Sequence, residues 1–207
     1  KYICDTEWEL FKAFEHKQKI LLEGAQGMSL DLDNGMYPHT TSSNTVSGYG
    51  EVGSGVGFNT RKRIIGVVKA YVSRVGNSPF PTELNNELGH LIREQGQEYG
   101  TTTGRPRRIG WLDLVQVRQS IRTSGLTNIA ITKLDVLGGI PEIHVCVAYK
   151  IDGKIITEMP SSLTSLRNAK PMYITCKGWG VFNQEMIDSI QEGGFGCLPE
   201  EVKKYIQ

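Results

Sequence analysis

The stretch Trp111–Asp135, WLDLVQVRQSIRTSGLTNIAITKLD, decides the fold class. From Trp111 to Thr123 the spacing predicts a helix with Leu114, Val117 and Ile121 on one face. Gly125 stands just past its end, where a left-handed residue closes a helix. Asn128–Thr132 then reads as a short buried strand that runs directly into Lys133-Leu134-Asp135. Helices alternating with strands argue for an α/β sheet whose ligand loops sit at strand ends.

The same alternation extends in both directions. Thr6-x-x-Glu9 is a capping box for a helix carrying Trp8, Leu10, Phe11 and Phe14. Lys19-Ile20-Leu21-Leu22 predicts a short buried strand that enters the glycine turn Glu23-Gly24-Ala25-Gln26-Gly27. Residues 33–60 hold many Gly, Ser, Thr and Asn with little periodicity, a long irregular segment of the kind that often carries function. Within it, Gly50 to Gly57 reads as a flexible glycine-rich loop. Ile64 to Val75 is rich in β-branched residues and contains a strand. Thr82 is placed to cap a helix with Leu84, Leu88, Leu91 and Ile92 on its apolar face, stopped by Gly96. Ile143–Tyr149 and Lys154–Ile156 form a hairpin about Asp152-Gly153. Residues 182–192 and 199–207 read as surface helices.

Composition sets the limits. The chain has 207 residues, 39% apolar and 22% charged, which describes a globular domain able to bury a substantial core. Its net charge of +1 means that attraction to nucleic acid would need a local patch. The cysteines, Cys4, Cys146, Cys176 and Cys197, form no Cys-x-x-Cys pair, which argues against a zinc site and suits reduced thiols in an intracellular protein. Cys146 lies in an apolar run and reads as a core residue. No stretch approaches the length of a membrane span, and Lys1-Tyr2-Ile3-Cys4 is no signal peptide. Both ends read as cut from a longer chain.

Three motifs carry chemistry. Thr101-Thr102-Thr103-Gly104-Arg105-Pro106-Arg107-Arg108 gathers hydroxyls, a hinge glycine and guanidinium forks that match carboxylate and phosphate. It reads either as a clamp for more than one anionic group or as a solvated basic run. Gln26 offers an amide at the end of a strand, or simply faces water in a turn. Lys133-Leu134-Asp135 is similar to the Lys-x-Asp with which guanine-nucleotide proteins read the base, although three residues by themselves favour a salt-bridged loop end. Asp31 and Asp33 alternate with Leu30 and Leu32 and suit one polar strand face better than a metal pair. His16, His39, His90 and His144 have no metal-like spacing. There is no Gly-x-x-x-x-Gly-Lys-[Ser/Thr] phosphate loop.

Taken together, EGAQG at 23–27, YPHTTSSNT at 37–45, GSGVG at 53–57, VKAYVSRVG at 68–76, PFPTEL at 79–84, TTTGRPRRIGWLD at 101–113 and TKLDVL at 132–137 resemble the adenylosuccinate synthetase family, in order and over nearly the whole chain. The resemblance implies an α/β fold with a large, mostly parallel mixed sheet flanked by helices, related to P-loop NTPases. Residues 1–207 would be the central and C-terminal portion of a single such domain. It implies a GTP-dependent carbon–nitrogen ligase of purine (AMP) biosynthesis, cytoplasmic and homodimeric, that joins IMP and L-aspartate through 6-phosphoryl-IMP. It assigns Gln26 to catalysis at the purine 6-oxygen; Gln26, Thr41, Val75 and Arg105 to IMP; Thr101, Thr102, Thr103, Gly104, Arg105 and Arg107 to aspartate; and Arg107, Lys133, Leu134 and Asp135 to GTP. Mg²⁺ is required, with its ligands expected in an N-terminal region that this sequence lacks and none in this segment. The C-terminal segment that completes the guanine pocket is lacking too, so these residues alone are expected to be inactive. His39-Thr40 departs from the apolar pair of the family pattern. The other readings are a relative that takes (d)GMP as acceptor and a non-catalytic nucleotide- or RNA-binding module using Arg105, Arg107 and Arg108; the resemblance implies neither a nucleic-acid nor a membrane partner.

Overall fold

The computed structural model describes residues 3–55, 57 and 63–207. Val56 of the GSGVG block and most of the end of the 33–60 stretch lie outside the described residues. The chain divides into two compact units, one of residues 1–66 and 120–128, the other of residues 67–119 and 129–207.

In the first unit, helix α1 (Thr6–Glu15) forms where the capping box predicts it, but Asp5 is the cap, accepting the Trp8 N–H at 3.1 Å. Lys19–Leu22 is not a strand: it has no regular structure, and Leu21 is 89% exposed, because no neighbouring strand is available to pair with it among the described residues. Residues 33–55 are less irregular than expected, since Tyr49–Ser54 winds into helix α2 and closes on Gly55 at φ 74°. Asp31 and Asp33 do not line a strand either. Asp31 follows a 3-10 turn (Met28–Leu30) and is fully buried, because its carboxylate replaces the missing strand partners of its own loop. Oδ1 accepts the backbone N–H of Asp33 and Asn34 at 3.0 and 2.8 Å, and Oδ2 accepts those of Thr45 and Val46 at 2.5 and 3.2 Å.

The second unit holds the main core. Its five-stranded sheet comprises β2 (Tyr71–Arg74), β3 (Arg108–Asp113), β5 (Glu142–Ile151), β6 (Lys154–Ile156) and β7 (Lys170–Lys177). The mixed α/β class is as expected, but the sheet is not mostly parallel. Among the registers described, only β3–β5 runs parallel, while β2–β3, β5–β6 and β5–β7 are antiparallel. The two-residue turn between β5 and β6 leaves no room for the helical crossover that parallel neighbours require. Strands β1 (Ile65–Lys69) and β4 (Asn128–Thr132) make a separate two-stranded sheet. β4 is mostly exposed rather than buried, since only one strand pairs with it here.

Helix α3 (Glu87–Gly96) starts later than Thr82 because residues 82–84 lie along β3, with Leu84 N–H bonded to Ile109 O at 2.8 Å and Trp111 N–H to Thr82 O at 3.1 Å. Asn86 is its cap, through the Gly89 N–H. Ile92 is buried and Leu84 and Leu88 pack on the core, but Leu91 faces water. Trp111–Asp113 belongs to β3, and helix α4 (Leu114–Ser124) begins only after Asp113, whose carboxylate accepts the Val115 N–H at 3.0 Å. After the short α5 (Leu163–Arg167) and α6 (Gln184–Gly193) comes α7 (Glu200–Ile206). It is no surface helix: Val202 and Tyr205 are buried, and the Tyr205 hydroxyl donates to Ala70 O at 2.6 Å. Cys146 is buried, as read from the sequence, which pushes its thiol up to about 12.

Candidate active site

The hydroxyl–arginine motif is a short loop whose backbone closes on itself. Gly104 N–H donates to Gly100 O at 2.8 Å and Gly100 N–H to Arg105 O at 2.9 Å, with Tyr99 and Pro106 bridged beneath. Gly104 takes φ 63°, the left-handed conformation that makes so tight a return possible. Thr101, Thr102, Thr103, Gly104 and Arg105 are all exposed at the tip. The Thr103 hydroxyl lies 3.5 Å from the Arg105 N–H, and the Arg105 guanidinium makes no hydrogen bond or ion pair among the described residues.

Arg107 and Arg108 leave the loop half-buried and in different hands. Arg108 is gripped by Glu83 through two parallel bonds, Nε to Oε1 at 2.6 Å and Nη2 to Oε2 at 2.5 Å. Its Nη1 also donates to the carbonyls of Gly76 and Ser78, and the guanidinium lies over Phe80. The sequence reading that pooled all three arginines therefore overcounts: Arg108 holds the fold. Arg107 meets Glu98, with Nη1 3.1 Å from Oε2, and its N–H bonds Glu98 O at 2.9 Å. Its Nε is buried without a partner.

Glu98 is the element that sequence reasoning missed. It is 2% exposed and sits just past the left-handed cap Gln97 at the end of α3. Oε1 accepts from Lys69 Nζ at 2.5 Å and from the Tyr71 hydroxyl at 2.7 Å. Burial alone would raise this carboxyl, but the donors Lys69 and Tyr71 win and hold it below the usual carboxylate range. The reciprocal effect on Tyr71, burial first and then the Glu98 and Asp135 charges, drives its hydroxyl far up. The close packing has a steric condition: a Cβ on Gly96 would lie 2.4 Å from the Tyr71 oxygen.

The Lys133-Leu134-Asp135 turn joins this network. Lys133 adopts φ 61°, and its Nζ lies 3.4 Å from Gly96 O, two residues before Glu98. Leu134 O accepts the Trp179 indole N–H at 3.0 Å, and Trp179 stacks edge-on against Tyr205 of α7. Asp135 opens a 3-10 turn (Asp135–Leu137) with its carboxylate exposed, and its charge reaches Tyr71. Within the second unit the structure thus brings Arg107 and the Lys133–Asp135 turn together around the end of α3. Val75, 53% exposed, follows β2 beside Gly76, whose carbonyl Arg108 holds.

Gln26 and Thr41 lie in the first unit, on neighbouring loops. Gln26 sits at φ 60° with its side-chain oxygen 3.5 Å from the Ser43 hydroxyl, and the Thr45 hydroxyl donates to Gly27 O at 2.9 Å. Thr41 is fixed by its N–H on Leu30 O at 2.8 Å, inside the loop that Asp31 ties at both ends. Asp31 titrates at about 2: burial works against its charge, and the Asn34, Thr45 and Val46 N–H groups outweigh it. Among the described residues no three His, Cys, Asp or Glu side chains converge as metal ligands.

The fold and this loop system define a mixed α/β protein with an exposed hydroxyl–arginine loop, and the comparisons narrow the class. The family model for adenylosuccinate synthetase matches residues 1–207, and the chain belongs to that family. It is 50% identical over 207 residues to the adenylosuccinate synthetase of Bacillus thuringiensis (strain Al Hakam), covering all of this chain and 47% of the relative. Over 206 residues it is 48% identical to that of Caldanaerobacter subterraneus subsp. tengcongensis, again covering 47%. It superposes on the fully ligated adenylosuccinate synthetase of Plasmodium falciparum with a TM-score of 0.89 at 39% identity, covering 99% of this chain and 48% of the other. A cyanophage S-2L succinoaminodeoxyadenylate synthetase bound to dGMP and dATP shares the fold at a TM-score of 0.52 and 23% identity, over 63% of this chain and 40% of that one. The chain spans about half the length of the curated relatives it matches.

Proposed function

We propose that this chain contributes part of the active site of an adenylosuccinate synthetase, a ligase that joins IMP and L-aspartate in purine biosynthesis. The observation that carries the reading is the tip of the Thr101–Arg105 loop. Among the described residues the Thr101 and Thr102 hydroxyls and the Arg105 guanidinium are exposed and make no hydrogen bond, while the Arg107 and Arg108 beneath are held by carboxylates. Such a tip can take the two carboxylates of an amino diacid, with Arg105 also reaching the nucleotide.

GTP is the donor in this reading. The IMP 6-oxygen attacks the γ-phosphorus as N1 gives up its proton, GDP leaves, and 6-phosphoryl-IMP results. The aspartate amine then attacks C6, and the C6–O bond breaks to release phosphate. Gln26 donates its amide N–H to the 6-oxygen as charge builds there, which is where a fixed donor lowers a barrier. Thr41 meets the IMP phosphate and Val75 the ribose. Arg107 faces the triphosphate side, Asp135 accepts from guanine N1–H and its exocyclic amine, and the Lys133 stem and Leu134 border the base. Mg²⁺ supplies charge neutralisation on the phosphates, and no residue of this chain is assigned to it. The protein would act as a cytoplasmic homodimer. Against a nucleic-acid module stand the net charge of +1 and the engagement of Arg108 by Glu83.

The test has two arms. The 207 residues alone, supplied with IMP, GTP, Mg²⁺ and aspartate, should give no turnover, and normal activity would refute the partial-site reading. In the complete protein, IMP should be turned over in preference to dGMP. A crystal soaked with hadacidin, a mimic of aspartate, should show it at the Thr101–Arg105 loop; occupancy elsewhere with this loop empty would remove the assignment.

A further inference from the structure

Arg108 belongs to one loop by its backbone and to another by its side chain. It opens β3 directly after the hydroxyl–arginine loop, whose base is closed by the Tyr99–Pro106 bridge and by Arg107 N–H on Glu98 O. Its guanidinium reaches the turn that follows the neighbouring strand β2, where Arg74 is its register partner. Nε and Nη2 share one edge and meet the two Glu83 oxygens at 2.6 and 2.5 Å. Nη1 lies on the far side and uses its two hydrogens on Gly76 O at 2.9 Å and Ser78 O at 2.8 Å. Glu83 is itself placed by the bridge to Gly110 and the bonds of residues 82 and 84 to β3, so the fork sets the guanidinium plane and aims Nη1. The turn held in this way has little packing of its own. Val75, Gly76 and Asn77 are exposed, Gly76 takes φ 77°, and Asn77 and Ser78 border a cleft of about 340 Å³.

We infer that Arg108, oriented by Glu83, is a positioning residue that pins the Val75 turn to the hydroxyl–arginine loop, so that one guanidinium sets the spacing between the residue that meets the ribose and the residues that meet the amino diacid. The part of this that concerns ligands rests on the proposed function; the pin between the two loops does not. Arg108 and Glu83 act through the loops they join and touch no ligand themselves. Among the described residues no hydrogen bond or ion pair ties Arg108 to the Lys133–Asp135 turn, so the guanine side stands apart from the pin.

The experiment uses the complete protein and two variants that lose no positive charge. Arg108→Lys keeps the charge, but one ammonium nitrogen cannot occupy both the Glu83 fork and the carbonyls on the opposite side. Glu83→Gln keeps Arg108 and turns an NH₂ on one of its donors. It removes a negative charge, which by itself favours anionic ligands and so works against the expected result. Without ligand, hydrogen–deuterium exchange of the peptide covering residues 75–79 should quicken in both variants. In turnover, KM for IMP and KM for aspartate should rise together, about tenfold in Arg108→Lys and about threefold in Glu83→Gln, while KM for GTP stays within about twofold. A residue that only supported the fold would lower the active fraction, and with it kcat, and leave each KM in place. Circular dichroism of each variant checks the fold, and Glu83→Gln alone decides the matter if Arg108→Lys does not fold. Unchanged exchange in the folded variants overturns the pin. Faster exchange with the KM values for IMP and aspartate unmoved, or with all three raised alike, overturns the link to ligand. Faster exchange in the variants of a complete protein whose wild type turns over no IMP upholds the pin and discards the proposed function instead.

Discussion

Asp31 and Glu98 are both buried carboxylates, and they are satisfied in opposite ways. Asp31 takes its bonds from backbone N–H groups and the Asn34 amide, within one loop system of the first unit. Glu98 takes its side-chain bonds from an ammonium, a phenol and a guanidinium delivered by β1, β2 and the hydroxyl–arginine loop of the second unit. The first arrangement fixes a backbone trace, here the one on which Thr41 rides. The second fixes the pose of side chains and leaves one of them, Arg107, with donors to spare. A carboxylate satisfied by backbone builds a scaffold; one satisfied by cations arranges a site.

The comparison breaks most sharply if Glu98 is truncated. Glu98→Ala removes the acceptor that Lys69 and Tyr71 share, leaves the Lys69 ammonium on the Ser73 hydroxyl and strands two cations near the core, so a loss of about 3–4 kcal/mol is expected in urea unfolding. A loss under about 1 kcal/mol would show that the hub is not a folding element at all.

Asp31→Asn should cost less, about 2 kcal/mol at neutral pH, because one acceptor oxygen survives while an NH₂ is turned on other donors. The pH dependence has a definite sign. The folded value of Asp31 is depressed from 3.8 to about 2, so its contribution is complete above the unfolded value and drains away as pH falls from about 4 towards 2. The variant should lack that acid limb. Glu98 and Glu83, both held low, act in the same direction. Asp113, raised first by burial, acts in the opposite one, losing stability as pH rises through its ordinary range.

A third step sharpens the contrast between neighbouring arginines. Arg108→Lys gives up a fork that a point charge cannot reproduce, and a loss of about 1–2 kcal/mol is expected in thermal or urea unfolding. Arg107→Lys replaces a single bond and removes an orphaned donor, so its loss should be under about 1 kcal/mol. Equal losses would erase the distinction between the closed pair and the open one.

How much of this could be read from the chain depends on the range of the interactions. The hairpin at Asp152-Gly153 was legible because both residues must take positive φ, 47° and 80°, and that demand is written in the residue types. Helix α4 was legible from Leu114 onward, where a 3.6-residue period holds. Trp111–Asp113 was not, since its strand conformation is imposed by β2 and β5 from either side. Lys19–Leu22 failed for the complementary reason: an apolar run predicts burial only if something arrives to bury it. At the site, the tip residues Thr101 to Arg105 are contiguous and could be named from the motif. Glu98 could not, although it lies only three residues upstream of Thr101, because its partners Lys69 and Tyr71 come from some thirty residues away. The quoted VKAYVSRVG block contains both, yet nothing in its spacing says that they face a carboxylate.

The smallest expected effect on folding carries the largest on function. Arg105 sits on a loop whose closure depends on backbone bonds among Gly100, Gly104 and Arg105, and none of them uses the guanidinium. Arg105→Leu should therefore leave stability within about 0.5 kcal/mol and helix content unchanged. In the complete protein the same change removes the planar fork that the proposed function assigns to the aspartate carboxylates, and aspartate-dependent turnover should fall below detection. Retained turnover would withdraw Arg105 from the site. A large loss of stability would mean that the exposed tip is braced by its arginine, and that the division between scaffold and site is drawn in the wrong place.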